Sequence, residues 1–385
     1  MNKKVIKLLT TLIATLLFVS ITACKKEEFN QKPISGIDAM FDESLGYYNE
    51  SPSVIEENGV RYVYYTKNVT KDKDEKESIV VRKGEFKDGK WKYNSSSVAL
   101  SPSNDGWDSA KVFQADVVKG KFVFDGKSYS YLMAYSGTDS LTSRKGAQIG
   151  LAVSETPTGV FKKISDKPFV IWDAKDYSQH GELLTNGACE PSLINYDGNS
   201  QIIMFYSLFN PITSHSCKYV LLDLSSDLKN LSSRNSERGN LLSKEGIQDM
   251  STDPACISAD FAISEDKKIL YAVRDYYPVS AISPAVAEAV QMLSAPFEIL
   301  KETISDTSPK WKVINDKISA LDTAVWDDDD KMGYDRIYSA CIISNENGYV
   351  GKNVNISFTS CALASSLAEY KYSSMIHEFN VIKGV

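Results

Sequence analysis

One pattern recurs five times along the chain and limits what it can fold into. A short apolar strand opens on a small or acidic residue, an Asx-Gly or acidic turn follows, and a second strand dense in Tyr and aliphatics comes next. The copies are Ser51–Ile55 with Asn58-Gly59 and Tyr62–Thr66; Asp116–Val118 with Asp125-Gly126 and Tyr129–Ser136; Glu190–Ile194 with Asp197-Gly198 and Ile202–Ser207; Asp253–Ile257 with Glu265-Asp266 and Ile269–Val273; and Ile337–Ser344 with Asn347-Gly348 and Val354–Thr359. Asx-Gly between alternating runs is the strongest short hairpin signal. A further strand follows most copies: Ile79–Val81, Gln148–Ser154, Tyr219–Leu222 and Ala289–Leu293, the last also readable as a helix capped by Ser283-Pro284. A single such sheet cannot bury both faces. Several packed radially can, and closure removes most exposed edges. The expectation is an all-β fold, a five-bladed β-propeller over 45–385, with Ile376–Ile382 as a closing strand returning to the first blade.

The chain ahead of this unit has a different character. Lys3, Lys4 and Lys7 precede an uncharged, mostly apolar run from Leu8 to Ala23, which ends at Cys24. This reads as a secretory signal over 1–23, too short and wrongly flanked for a membrane span. Ending on Cys, it resembles a bacterial lipoprotein signal with Cys24 as the lipid-bearing residue. Lys25-Lys26-Glu27-Glu28 then resembles the surface-export signal of Bacteroidetes lipoproteins, and 24–44 reads as a polar tether. The implied location is the outer membrane, with the protein surface-exposed and held by lipid alone. Cleavage removes three lysines and no acid, taking the net charge from −7 to −10. That balance argues against a nucleic-acid partner.

Of the five remaining cysteines, none lies at metal-site spacing. Buried thiols are expected, with a Cys341–Cys361 disulfide the less favoured alternative. Three histidines do not make a zinc site.

The run Ile149-Gly150-Leu151-Ala152-Val153-Ser154-Glu155-Thr156-Pro157-Thr158-Gly159-Val160-Phe161 resembles the "I-G-x-A-x-S-x-x-P-x-G-x-F" strand of five-bladed glycosidases, especially glycoside hydrolase family 43. Gln114-Ala115-Asp116-Val117 is similar to that family's "A-P-D-V" opening of blade two. Cys189-Glu190-Pro191 is similar to its "E-G-P" and to the "E-C-P" of related fructosidases. The resemblance implies a glycoside hydrolase acting on an extracellular oligo- or polysaccharide, with Glu190 as general acid and Asp116 and Asp253 tuning it or holding hydroxyls. Hydrolysis of this kind sets two carboxyl groups about the scissile bond. Where the family opens blade one with Asp-Pro, this chain has Ser51-Pro52. Ser cannot serve as base, so a non-catalytic glycan-binding protein is the alternative.

Softer candidates for substrate contact are Ser51 itself, the pair Arg274-Asp275 at the end of a hairpin strand, and the loop residues His180 and His215. Trp107, Trp172 and Trp326 stand in loop-like stretches where they could stack on sugar or pack on the core. Asp327–Asp330 reads as a solvated loop. No cofactor is expected, although a structural Ca2+ or Na+ is compatible with the acids, and the protein is expected to act as a monomer. No phosphate loop, nucleophile elbow or H-E-x-x-H motif is present.

Overall fold

The computed structural model describes residues 49–70, 75–172, 187–209, 215–247, 256–276, 287–301, 309–320, 322, 336–361 and 375–382. They form a five-bladed β-propeller, and no α-helix occurs among them. Each blade begins with an inner strand: Asn49–Glu57, Lys111–Phe124, Gly187–Asn195, Ala259–Ser264 and Arg336–Asn345. Each inner strand pairs antiparallel with a second strand: Val60–Asn68, Lys127–Thr138, Gln201–Phe209, Ile269–Tyr276 and Val354–Cys361. The Asx-Gly turns join them as expected. Asn58-Gly59 and Asp125-Gly126 each hold two successive positive φ angles, the tight-hairpin geometry that favours these residues.

Third strands follow at Glu77–Lys87, Gln148–Ser154, Ser216–Asp223, Ala289–Pro296 and Met375–Ile382. Ala289–Pro296 is therefore a strand, paired along its whole length with Ile269–Tyr276. The tail differs from expectation. Met375–Ile382 does not return to blade one; it pairs with Val354–Cys361 as the third strand of blade five. Closure is made instead between inner strands, where Ile55 and Glu56 pair in parallel with Ser344 and Asn345.

The core lies between blades. Successive clusters bring together Val117 and Ile79, Leu193 and Val118, Phe205 and Phe261, Val273 and Ile337, and Val54 and Ile343. Phe205 and Phe261 stack with ring centroids 4.1 Å apart. Each such fully buried side chain contributes about 1.5–3 kcal/mol of burial. Cys189, Cys217, Cys256 and Cys341 are buried free thiols. Cys341 lies opposite Ser357 in the strand register, so the Cys341–Cys361 disulfide is not formed.

Candidate functional site

The five inner strands share one local distortion. Ser51, Gln114, Glu190, Ser258 and Ser339 all adopt positive φ, between 46° and 57°. In blades one, two, three and five a register shift marks the same place, and in blade four the strand starts immediately after Ser258. The left-handed region costs a non-glycine residue roughly 1–2 kcal/mol. Five such residues in equivalent positions persist because their surroundings hold them.

Two rings of hydrogen bonds do so. In the first, each distorted residue donates its backbone N–H to the second strand of the preceding blade. The acceptors are Thr66 for Gln114 at 2.9 Å, Ser136 for Glu190 at 3.0 Å, Ser207 for Ser258 at 2.9 Å, Asp275 for Ser339 at 2.6 Å, and Thr359 for Ser51 at 3.0 Å. In the second ring, the residue two positions on reaches the next blade. Asp116 Oδ2 accepts from the Leu193 N–H at 2.6 Å, Ser192 Oγ from the Phe261 N–H at 3.0 Å, and Asp260 Oδ2 from the Ile342 N–H at 2.7 Å. Ser53 Oγ donates to Asp116 Oδ1 at 2.5 Å, and that oxygen also accepts from the Val117 N–H at 2.9 Å.

The tripeptides so fixed are Ser51-Pro52-Ser53, Gln114-Ala115-Asp116, Glu190-Pro191 (with Ser192 behind it), Ser258-Ala259-Asp260 and Ser339-Ala340-Cys341. Together they line a pocket on the axis of about 50 Å3. Glu190 is the one acid among the five distorted residues. Its Oε1 accepts from Ser258 Oγ at 3.0 Å and Gln114 Nε2 at 3.2 Å, while its Oε2 is buried without a well-formed hydrogen bond. Burial pushes the Glu190 carboxyl up, against the opposing pull of neighbouring Ser207, Ser258 and Gln114. Asp116 is also raised by burial, despite its three donors. Asp260 is raised by burial and then by the nearby charge of Asp116.

The sequence-based candidates divide clearly. Glu190, Asp116 and Ser51 line one pocket. Asp116 is not at the blade opening itself: Gln114 holds that position, and Asp116 stands two residues on, engaged between blades. The inner strand of blade four is Ala259–Ser264 rather than a strand from Asp253, so its opening residue is Ser258. Asp253 lies outside the described residues. Asp260, which sequence reasoning missed, lines the pocket instead. The shared x-Ala-Asp of Gln114-Ala115-Asp116 and Ser258-Ala259-Asp260 was the available signal. Glu190 also stands one place before its proline, where "E-G-P" has the acid two places before; Cys189 holds that place and packs among Phe113, Ala147, Phe209 and Ile257.

Arg274 and Asp275 are not among these lining residues, and both are buried because successive strand residues face opposite sides of the blade. Arg274 donates to Gln291 Oε1 at 3.0 and 2.8 Å, while Asp275 holds the Ser339 N–H. His215 sets its ring against Phe209 at 4.9 Å and is not a lining residue. Trp107 stacks on Tyr135 at 5.7 Å and Trp172 is buried in the core, so both pack rather than face a ligand. His180, Trp326, Asp327–Asp330 and Cys24 lie outside the described residues. No cluster of metal-ligating side chains occurs among the described residues.

No family model and no curated relative matches the sequence. Solved structures do match the fold. A family 117 glycoside hydrolase from the marine bacterium Zobellia galactanivorans superposes with a TM-score of 0.52 at 14% identity, over 91% of this chain and 89% of that one. The catalytic domain of a GH62 α-L-arabinofuranosidase from Coprinopsis cinerea gives 0.52 at 12%, over 91% and 95%. A thermostable family-43 glycoside hydrolase gives 0.46 at 15%, over 88% and 92%. The two superpositions above 0.5 show that the chain shares the β-propeller fold of those glycoside hydrolases.

Proposed function

We propose that the axial pocket binds a carbohydrate and that the protein is a glycan-binding member of this fold. The observation that carries the reading is the make-up of the five distorted residues: Glu190 is their only acid, and Ser51 occupies the blade-one position. Glycoside hydrolysis needs two carboxyl groups in distinct protonation states. Asp116 and Asp260 also line the pocket, but their oxygens hold neighbouring blades together and burial works against their ionisation. Hydroxyls and one amide beside Glu190 suit recognition of a sugar.

Hydrolysis is the second reading, favoured by Glu190 itself. A buried carboxyl with a raised pKa and an unengaged oxygen is how a proton donor is prepared. Reducing-end release from a panel of oligo- and polysaccharides separates the two. Binding without release supports recognition, and release that Glu190→Gln abolishes supports hydrolysis. Under the binding reading, Ser51→Asp supplies the absent second carboxyl and is expected to introduce slow release.

We also propose that the protein is lipid-anchored through Cys24 at the outer membrane. Cys24→Ser should lose lipid labelling and leave the membrane fraction; unchanged fractionation contradicts the anchor.

A further inference from the structure

We propose that the axial pocket selects a sugar bearing a free amino group, seating its ammonium among Ser51, Gln114 and Glu190. This rests on the carbohydrate reading above. Three buried polar atoms of lining residues make no well-formed hydrogen bond: Ser51 Oγ, Gln114 Oε1 and Glu190 Oε2. Ser51 is only 8% exposed. All three can accept a hydrogen bond, and an ammonium offers three donors. A hydroxyl offers one and would leave two acceptors unmatched, each at a desolvation cost.

Size and charge point the same way. At about 50 Å3 the pocket admits a substituent of one or two heavy atoms, with the ring above it. Glu190, Asp116 and Asp260 line it, Cys341 is the other titratable lining group, and Asp275 stands behind Ser339. No Lys, Arg or His lines it among the described residues. The nearby cations point to other partners: Arg144 to Glu50 and Glu77, Arg274 to Gln291, and Arg336 to the Ala287 carbonyl. An ammonium therefore meets acids that can ionise to pair with it, whereas a uronate meets no lining cation. Charge-assisted hydrogen bonds are also roughly twice as strong as neutral ones. An ammonium beside Glu190 favours the charged carboxylate that burial disfavours.

The test uses methyl glycosides of glucosamine, galactosamine and mannosamine, each against its N-acetyl and its 2-hydroxy counterpart. Binding is followed by NMR titration and by calorimetry. The expected result is at least ~10-fold tighter binding of one amino sugar than of both counterparts. Ser51→Ala and Glu190→Gln should each remove most of that preference. Equal or tighter binding of the neutral counterparts overturns the amine proposal and leaves the carbohydrate reading standing. A preference that survives both variants overturns the seat assigned to it. If no sugar binds, these or the wider glycan panel, both readings fail together.

Discussion

The Ser339 N–H donates to Asp275 Oδ1 at 2.6 Å, in the position where the other four blades present a Thr or Ser hydroxyl. Blade four thus uses a buried acid for a task that elsewhere needs no charge. Burial, reinforced by Glu190, pushes Asp275 from 3.8 up to about 7. Between these values the folded protein retains a proton that the unfolded chain has released, so stability falls as pH rises from about 4 to about 7. A tenfold difference in proton affinity between the folded and unfolded chain is worth about 1.4 kcal/mol. Asp275→Asn keeps an oxygen for Ser339 and cannot ionise. Denaturant unfolding should show it near parental stability at about pH 4 and more stable by a few kcal/mol at pH 8. A variant less stable than the parent at pH 8 would contradict the buried-acid account.

The hydroxyl latches should be interchangeable in kind but not dispensable. Ser136→Ala leaves the Glu190 N–H without its acceptor, at an expected cost of about 1–3 kcal/mol. Ser136→Thr should cost much less, since Thr does the same work at positions 66 and 359. Equal losses for Ala and Thr would mean that packing, not the hydroxyl, holds the position.

The interface between blades three and four should be the costliest place to remove volume. Phe205 is fully buried, stacked on Phe261 and tilted against Tyr219 at 6.1 Å. Phe205→Ala is expected to lose about 3–5 kcal/mol in chemical denaturation. A loss under about 1 kcal/mol would place the stacked pair outside the core that joins these blades.

Much of the propeller was legible because hairpins are local. Asn58-Gly59, Asp125-Gly126 and Asn347-Gly348 fix turns whose geometry depends on two residues, and the strands beside them alternate visibly. Even the latch residues stood in view as strand ends, in Tyr65-Thr66, Tyr135-Ser136 and Tyr206-Ser207. Their task was hidden because it is a contact with the next blade, and Ser51 and Thr359 are 308 positions apart. Glu190 was legible through Pro191. In blade four the distortion falls at Ser258 and the lining acid is Asp260, which the repeat pattern alone did not single out; Asp253 lies outside the described residues. The tail misled because an alternating strand states which face is apolar, not which neighbour it pairs with, and Met375–Ile382 stays in blade five.

The central claim is that the pocket ringed by Ser51, Gln114, Glu190, Ser258 and Ser339 receives a sugar and leaves its glycosidic bond whole. A crystal structure of the parent protein, soaked with an oligosaccharide from the panel that binds it, tests this most directly. The account predicts an unbroken glycan whose terminal substituent lies within hydrogen-bond distance, about 2.6–3.2 Å, of Glu190 and Ser51. A glycan found only away from the axis, or one cleaved at the pocket, would contradict it.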